Sequence, residues 1–356
     1  MDHWWQLFHL LFITICACLT STEAALTCKD ADGDPIDWYY GYKVPKLWDN
    51  PDPDLANGSV LLYLSDGKTS WKRSSALVTA NQSQAVAQTL NEFYVCRNKQ
   101  EILSIFYNDE FPNGTTVFNR GHSKGVIIFD KTSGYWLVHS VPKFPPGDTY
   151  LYPNSGQWYG QSFLCVTFKY SQLKHIVHQL LYTQPNIYSV NVPQQMKEDI
   201  PELENVLDPH FTPTGSLTSK IQLQSGSGVK FTHLAKHSRW RHDLYADFVA
   251  PQLKSSLLVE SWQNGGEDLN SSCSSSYKVN TIQQLSLTKS IGFKNHEDHS
   301  KWAVSPHQKY QWICVGDINR QVSQEKRAGG TLCTKQLKKI STAYQKTIKK
   351  SARCPT

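Results

Sequence analysis

Short apolar runs broken by turn residues dominate the first half of the chain. Ser59-Val-Leu-Leu-Tyr-Leu64, Ile102 to Tyr107, Gly125-Val-Ile-Ile-Phe129 and Tyr135-Trp-Leu-Val-His139 are rich in β-branched and aromatic residues and too short for helices, so each predicts a strand. The last two flank Asp130-Lys-Thr-Ser-Gly134 and read as a hairpin. Apolar positions recur at helical spacing in Ala85 to Val95, Leu173 to Leu181, Ala246 to Leu258 and Leu337 to Ile348. The mixture predicts a mixed α/β fold, central β-sheets flanked by helices, rather than an all-β sandwich. Pro142-Lys-Phe-Pro-Pro-Gly147 predicts a surface loop. Asp208-Pro-His-Phe-Thr-Pro-Thr-Gly215, followed by Gly226-Ser-Gly228, marks the boundary between an N-terminal half, 26–210, and a C-terminal half, 211–356.

A repeat organises these elements. Gly121-His-Ser-Lys124 opens the hairpin just described, and Asp298-His-Ser-Lys301 opens a similar one: Trp302-Ala-Val304, a turn near Ser305-Pro-His-Gln308, then Tyr310-Gln-Trp-Ile-Cys-Val315. Ser140 follows His122 by 18 positions, as Asp317 follows His299, and the two histidines, 122 and 299, stand 177 residues apart. This spacing predicts a duplicated unit, two pseudo-symmetric halves contributing one copy each to a shared site.

Composition adds the compartment. Leu7 to Leu19 is nearly all apolar and small residues follow at Ala24 and Ala25, so residues 1–25 read as a removable signal peptide, although Asp2 replaces the usual positive charge. The run is too short to span a bilayer comfortably. No second one follows, which predicts no stable membrane anchor. Of nine cysteines, Cys16 and Cys18 leave with that segment, and the remaining seven contain no CxxC pair. Disulfides in an oxidising compartment are the better account than zinc. Sequons at Asn57, Asn81, Asn113 and Asn270 point the same way. The net charge of +6 favours polyanionic partners.

The repeated tripeptide carries the chemistry. Residues i and i+2 of a strand share a face, so on strands His122 projects with Lys124 and His299 with Lys301. Face to face, the copies give two imidazoles and two ammonium groups with no carboxylate cluster for Mg²⁺ or Ca²⁺. Such a site suits a phosphodiester. The lysines hold the non-bridging oxygens, one neutral histidine attacks phosphorus, and the other donates a proton to the leaving oxygen. Free histidine titrates near ~6.5, and two nearby lysines lower that value, so activity is expected to be biased toward acid. A single such tripeptide is ordinarily a solvated surface pair. Two copies ahead of two aromatic hairpins are not.

These residues resemble the deoxyribonuclease II family, a branch of the phospholipase D superfamily, over essentially the whole mature chain. Leu26-Thr-Cys28, Val44-Pro-Lys46 and Tyr107-Asn-Asp109 match its opening segments. Gly121 to Gly125, Trp136 to Pro142 with Phe144-Pro-Pro146, Glu297 to Trp302, Cys314 to Arg320 and Arg327 to Cys333 carry the specific likeness. The resemblance implies a metal-independent acid endonuclease for double-stranded DNA, leaving 3′-phosphates through a phosphohistidine and needing no cofactor. It implies that His122, Lys124, His299 and Lys301 are catalytic. It also implies disulfides Cys28–Cys165, Cys273–Cys354 and Cys314–Cys333, with Cys96 left over. By analogy with the superfamily, His122 is the nucleophile and His299 the acid, although the roles are reversible on sequence. Ala303 stands where many relatives carry Cys, and Phe129 where the superfamily pattern has Asp, with Asp130 one further on. The basic excess also resembles a venom member of the family, and by that likeness Asn119-Arg120 is a processing point.

Other residues have two readings. His139, Asp317 and Asn319 either support the catalytic histidines, as triad partners do, or are plain strand-end polar residues. Arg327 with Gly329 and Gly330 reads as a phosphate-binding turn or a simple tight turn. His296 lacks the zinc-site spacing. Lys335, Lys338, Lys339, Lys346, Lys349 and Lys350 form either a DNA-phosphate face or a solvated one. Two other classes remain: a phospholipase D-like lipid phosphodiesterase, and an inactive polyanion-binding secreted glycoprotein. Secretion and a lysosome both fit the targeting, as do monomer and homodimer.

Overall fold

The structure, a computed structural model, describes residues 25–96, 100–264, 266–306 and 311–354. The signal-peptide reading of 1–25 therefore lies outside the described residues except for Ala25, as do the side chain of Cys96 and residue Tyr310.

The fold is mixed α/β, built on two large sheets. The first has eight strands: β1 (Trp38–Lys43), β2 (Leu61–Ser65), β3 (Lys68–Arg73), β4 (Leu103–Tyr107), β5 (Gly125–Phe129), β6 (Ser133–His139), β7 (Gln161–Lys169) and β8 (Ile187–Asn191), in the order β8-β4-β5-β6-β7-β1-β2-β3. The second runs β9-β10-β16-β15-β14-β11-β12-β13. These are β9 (Thr218–Gln224), β10 (Lys230–Lys236), β11 (Leu257–Glu260), β12 (Val279–Thr288), β13 (Ile291–Lys294), β14 (Trp302–Val304), β15 (Ile313–Gly316) and β16 (Gly329–Thr334); β17 (Ile348–Ala352) joins at β12. Every ladder is antiparallel except β11–β12.

Strand alternation sorts side chains into layers. Trp38, Tyr40 and Tyr42 of β1 face a core that also holds Trp136 of β6, Trp302 of β14 and Val315 of β15, so the inner faces of both sheets share one apolar interior. Two helices help to fill it: α2 (Leu173–Thr183) through Leu173, Ile176 and Leu180, and α3 (Lys338–Thr347) through Ile340 and Tyr344. The opposite face of the first sheet, Tyr39 and Phe163 included, packs on α1 (Ala85–Cys96), and that of the second packs on the Leu244–Val249 segment. Cys28–Cys165, Cys273–Cys354 and Cys314–Cys333 are bonded. The first closes a separation of 137 residues, which in the loop-entropy account contributes about 5 kcal/mol.

Three expectations change. Ala246 to Leu258 is not one helix: Leu244–Val249 is π-helical, Ala250–Leu253 is a single α turn, and Leu257 opens β11. Pro251 has no N–H to continue the ladder and Lys254 turns left-handed at φ +52°, which ends it. Gly226-Ser-Gly228 is the hairpin between β9 and β10 inside the second sheet, and the chain leaves the first sheet at Asn191 and enters the second at Thr218. The His-Ser-Lys tripeptides are extended lead-ins to β5 and β14, not ladder residues. No described helix is long and apolar enough to cross a membrane.

Candidate active site

Both lead-ins are pinned by main-chain bonds. Gly121 N–H donates to Gln184 O (2.9 Å) and His122 N–H to Ala328 O (2.8 Å), the residue before β16 of the second sheet. A side chain at 121 would meet Thr183 O at 2.1 Å, which is why glycine precedes the histidine. In the second copy, His299 N–H donates to Gly160 O (2.8 Å). The hairpins repeat one contact: His139 N–H donates to Lys124 O (3.2 Å), and Gly316 N–H to Lys301 O (2.9 Å). His122, Lys124, His299 and Lys301 consequently line a single cleft, with Asp109, Ser140, Trp262, Asn319, Gln324 and Arg327 also in its walls.

The first copy is a charged lattice centred on Asp109. Its carboxylate pairs with Lys124 Nζ, meets Arg327 at 3.0 Å, and lies 3.7 Å from His122 Nε2. Burial opposes its charge, but Lys124, His122 and Arg327 win and hold it well below the usual carboxylate range. His122 Nδ1 donates to Gln324 Oε1 (2.6 Å). Burial pushes this imidazole well below its ordinary value. Asp109 pulls the other way, but it is already engaged by two cations, and Lys124, Lys301 and Arg327 add to the depression.

The second copy has an aromatic setting. Tyr159 stacks on His299 at 4.1 Å and 8° between planes, and Trp262 lies at 4.3 Å. His299 Nε2 is buried with no hydrogen-bond partner among the described residues. Burial, then Lys301, Lys124 and Lys43, lower this imidazole to about 2. Burial and Lys124 bring the Lys301 ammonium down to about 7. Asp298 does not touch the imidazole: its oxygens accept from Ser300 N–H (3.0 Å), Ser300 Oγ–H (2.7 Å) and the Tyr42 hydroxyl.

The support candidates sit at different depths. His139 Nδ1 accepts from Val141 N–H (3.2 Å), packs on Phe144 and Phe163, and makes no hydrogen bond to either cleft histidine among the described residues. Burial and Lys124 lower it to about 3. Asp317 Oδ2 accepts from Gly330 N–H (3.1 Å), and burial raises its carboxyl to about 7 against the pull of Lys124 and Lys301. Asn319 lines the cleft with its Oδ1 unpartnered. Gly329 and Gly330 form neither turn: they open β16, while Arg327 donates to Gly121 O (2.7 Å) and pairs with Asp109. His296 is exposed, and among the described residues no group of three His, Cys, Asp or Glu is placed to hold a metal ion. Lys338, Lys339 and Lys346 line a separate groove beside Trp71.

A deoxyribonuclease II family model matches residues 27–354. The chain belongs to the deoxyribonuclease II family. Plancitoxin-1 of Acanthaster planci is 36% identical over 92% of this chain and 92% of its own length. Deoxyribonuclease-2 of Caenorhabditis elegans is 38% identical over 88% and 91%, and deoxyribonuclease-2-beta of Mus musculus 36% over 92% and 92%. Membership makes this deoxyribonuclease II relative a nuclease, with DNA as its substrate class.

Pattern reading of this family member missed Asp109 as a site residue, although Tyr107-Asn-Asp109 was already part of the likeness. The sequence expectation concerned a carboxylate cluster for Mg²⁺ or Ca²⁺; Asp109 is a single carboxylate, engaged by Lys124, Arg327 and His122. Gln324, Tyr159 and Trp262 carry no periodic or motif signal and enter only through tertiary packing.

Proposed function

We propose that this protein is an acid endonuclease cutting double-stranded DNA without a metal, leaving 3′-phosphates. The observation that carries the reading is that both His-Ser-Lys tripeptides, from two different sheets, line one cleft also walled by Arg327. In the reading, 26–210 and 211–356 act as paired halves around it. His122 is the nucleophile: its Nδ1–H is held by Gln324, which leaves the Nε2 lone pair for phosphorus. As the Nε2–P bond forms, the P–O5′ bond breaks and His299 gives its proton to the 5′ oxygen. Lys124 and Lys301 bear the charge on the non-bridging oxygens. Water, its proton taken by His299, then displaces Nε2 and releases the 3′-phosphate. Asp317 and Asn319 support the floor of the site.

The acid bias follows from the depressed imidazoles. His122 stays neutral in acid, as a nucleophile must, whereas His299 holds its proton only when the solution is acidic and the bound phosphodiester adds its negative charge. The cleft wall is polar and charged, which favours DNA over a lipid phosphodiester with acyl chains. Three disulfides and four exposed sequon asparagines, Asn57, Asn81, Asn113 and Asn270, support a secreted or lysosomal glycoprotein. The acid chemistry supports lysosomal digestion. The basic charge, and the name of the plancitoxin-1 relative, support delivery as a secreted toxin.

The test is plasmid cleavage at acidic pH in excess EDTA, with His122→Ala and His299→Ala beside the parent, and mapping of the phosphorylated residue after acid-free quenching. The parent is expected to cut, both variants to lose activity, and phosphate to be found on His122. Cleavage abolished by EDTA refutes the metal-free mechanism; an alkaline optimum refutes the role given to His299.

A further inference from the structure

Two indole rings stand in water where burial is the default for side chains of that size. Trp48 is 62% and Trp158 53% exposed. Their centroids are 5.4 Å apart, and Lys46 Nζ lies 4.3 Å and 4.8 Å from the two rings. The arrangement is held by backbone: Lys46 N–H donates to Trp158 O (3.1 Å), and the buried Lys43 Nζ donates to Gln157 O (2.7 Å). The next residue, Tyr159, turns the other way and stacks on His299. Gly160 then bonds to Glu297 O (2.8 Å) and accepts from His299 N–H (2.8 Å). The exposed indole pair is therefore one residue from the ring that walls the candidate active site.

We propose that Trp48, Trp158 and Lys46 form a stacking platform for unpaired bases of a DNA strand at the lip of the cleft on the His299 side. This rests on the nuclease reading above. An exposed indole offers a π-face to any base, but in a duplex the base faces are covered by their neighbours, so the platform takes bases from single-stranded, frayed or gapped stretches. Lys46, its ammonium over both edge-on rings, brings a cation to the same surface, to which the phosphates of a strand are attracted. A neutral sugar would use the rings and gain nothing from the ammonium, and this charge match favours the polyanion. The platform extends the substrate range from duplex to the unpaired ends that cutting itself generates.

The test measures affinity in a His122→Ala background, so that the strand survives, for labelled oligothymidylate, an abasic strand of equal length and a duplex. Cleavage by the parent is scored separately, so failure of the nuclease reading is seen on its own. Trp48→Ala with Trp158→Ala is expected to weaken oligothymidylate binding about tenfold and to leave the abasic strand almost unchanged. Replacement of both by Phe should restore most of the affinity. Lys46→Gln should reduce the salt slope for oligothymidylate by about 0.7. If the double variant does not fold, Trp48→Ala alone carries the same expectation at about fivefold. Equal losses on oligothymidylate and the abasic strand, or oligothymidylate affinity within about twofold of the parent, overturn the proposal.

Discussion

Replacing Gly160 by alanine asks whether the strap between the two sheets sets the position of His299. A Cβ at 160 would stand 2.3 Å from Asp298 Oδ1 and 3.0 Å from its Cγ. An ordinary carbon–oxygen contact is about 3.3 Å or more, so something must move by about 1 Å. The carboxylate cannot swing aside cheaply, because Oδ1 accepts from Ser300 N–H, and Oδ2 from Ser300 Oγ–H and the Tyr42 hydroxyl. The 297–300 segment therefore shifts as a unit and carries His299, whose own N–H is bonded to Gly160 O at 2.8 Å. A displacement of that size at a reacting group costs about a hundredfold in rate. Overpacking costs about 1–3 kcal/mol, and in a chain of this size each kcal/mol lowers Tm by about 2–4 °C. Initial rates of plasmid nicking at acidic pH and a thermal melt separate the two effects. Gly67→Ala is the control: at φ +76° with nothing within 4 Å, it strains a surface turn far from the cleft, so Tm falls and the rate stays. A Gly160→Ala protein that folds and cuts within about threefold of the parent refutes the strap.

Asp109→Asn removes the anion shared by Lys124, Arg327 and His122, leaving buried positive charge unpaired. We expect denaturant titration to show a loss of about 3–5 kcal/mol. With the raising influence of Asp109 gone, the imidazole of His122 should fall further. Unchanged stability would mean that solvent, not Asp109, compensates these cations. His233 lies outside the cleft, packed on Trp136 and bonded to Gln179, and burial lowers it to about 3. Unfolded histidine takes up a proton below ~6.5 while the folded one does not, so His233 contributes stability that is lost as pH falls, at about 1.4 kcal/mol per pH unit. Between pH ~6.5 and ~5 that amounts to about 2 kcal/mol. His233→Gln should therefore show a smaller drop in Tm on acidification than the parent; parallel curves would contradict the sign. Asp317, raised to about 7, acts the other way: its folded form binds a proton between ~7 and ~3.8 that the unfolded form releases, so it gains stability as pH falls through that window.

Strands were legible where an apolar run was short and bounded by turn residues. Gly125–Phe129 and Leu103–Tyr107 are fully buried runs rich in β-branched and aromatic residues, too short for a helix to compete. Leu173–Thr183 and Lys338–Thr347 were legible as helices because each buries a continuous apolar stripe. Ala246 to Leu258 failed because its apolar residues serve two elements in succession, a periodicity that Pro251 and Lys254 cut at the backbone. The four residues that line one cleft stood out in the sequence because the same tripeptide is written twice. Asp109 did not, because a carboxylate that neutralises Lys124 across 15 residues leaves no local pattern. Tyr159 reaches His299 because its neighbour Gly160 pairs with the 297–299 segment, whereas Trp262 reaches it from the end of β11, its indole N–H donating to His296 O (3.1 Å).

The two surroundings fit the two roles that the proposed mechanism gives one tripeptide. In the first copy the imidazole has a fixed neighbour on Nδ1 and a carboxylate near Nε2 that is already committed to Lys124 and Arg327. Its ring orientation and tautomer are set by polar bonds, which is what an attacking nitrogen requires. In the second copy the ring is oriented by the stacked face of Tyr159 and the tilted indole of Trp262, which hold the plane without occupying Nε2. A nitrogen held that way can give its proton to a leaving oxygen and retrieve one from water without first breaking a bond to the protein. The lysines are alike in sequence but not in surroundings. Lys124 is tied to Asp109, whereas Lys301, lowered to about 7 by burial and by Lys124, gains its full charge only in acid or when a phosphodiester arrives between them. In the proposed mechanism acid acts on the cleft twice, through the proton of His299 and through the charge of Lys301, and both effects would favour the transition state over the empty site.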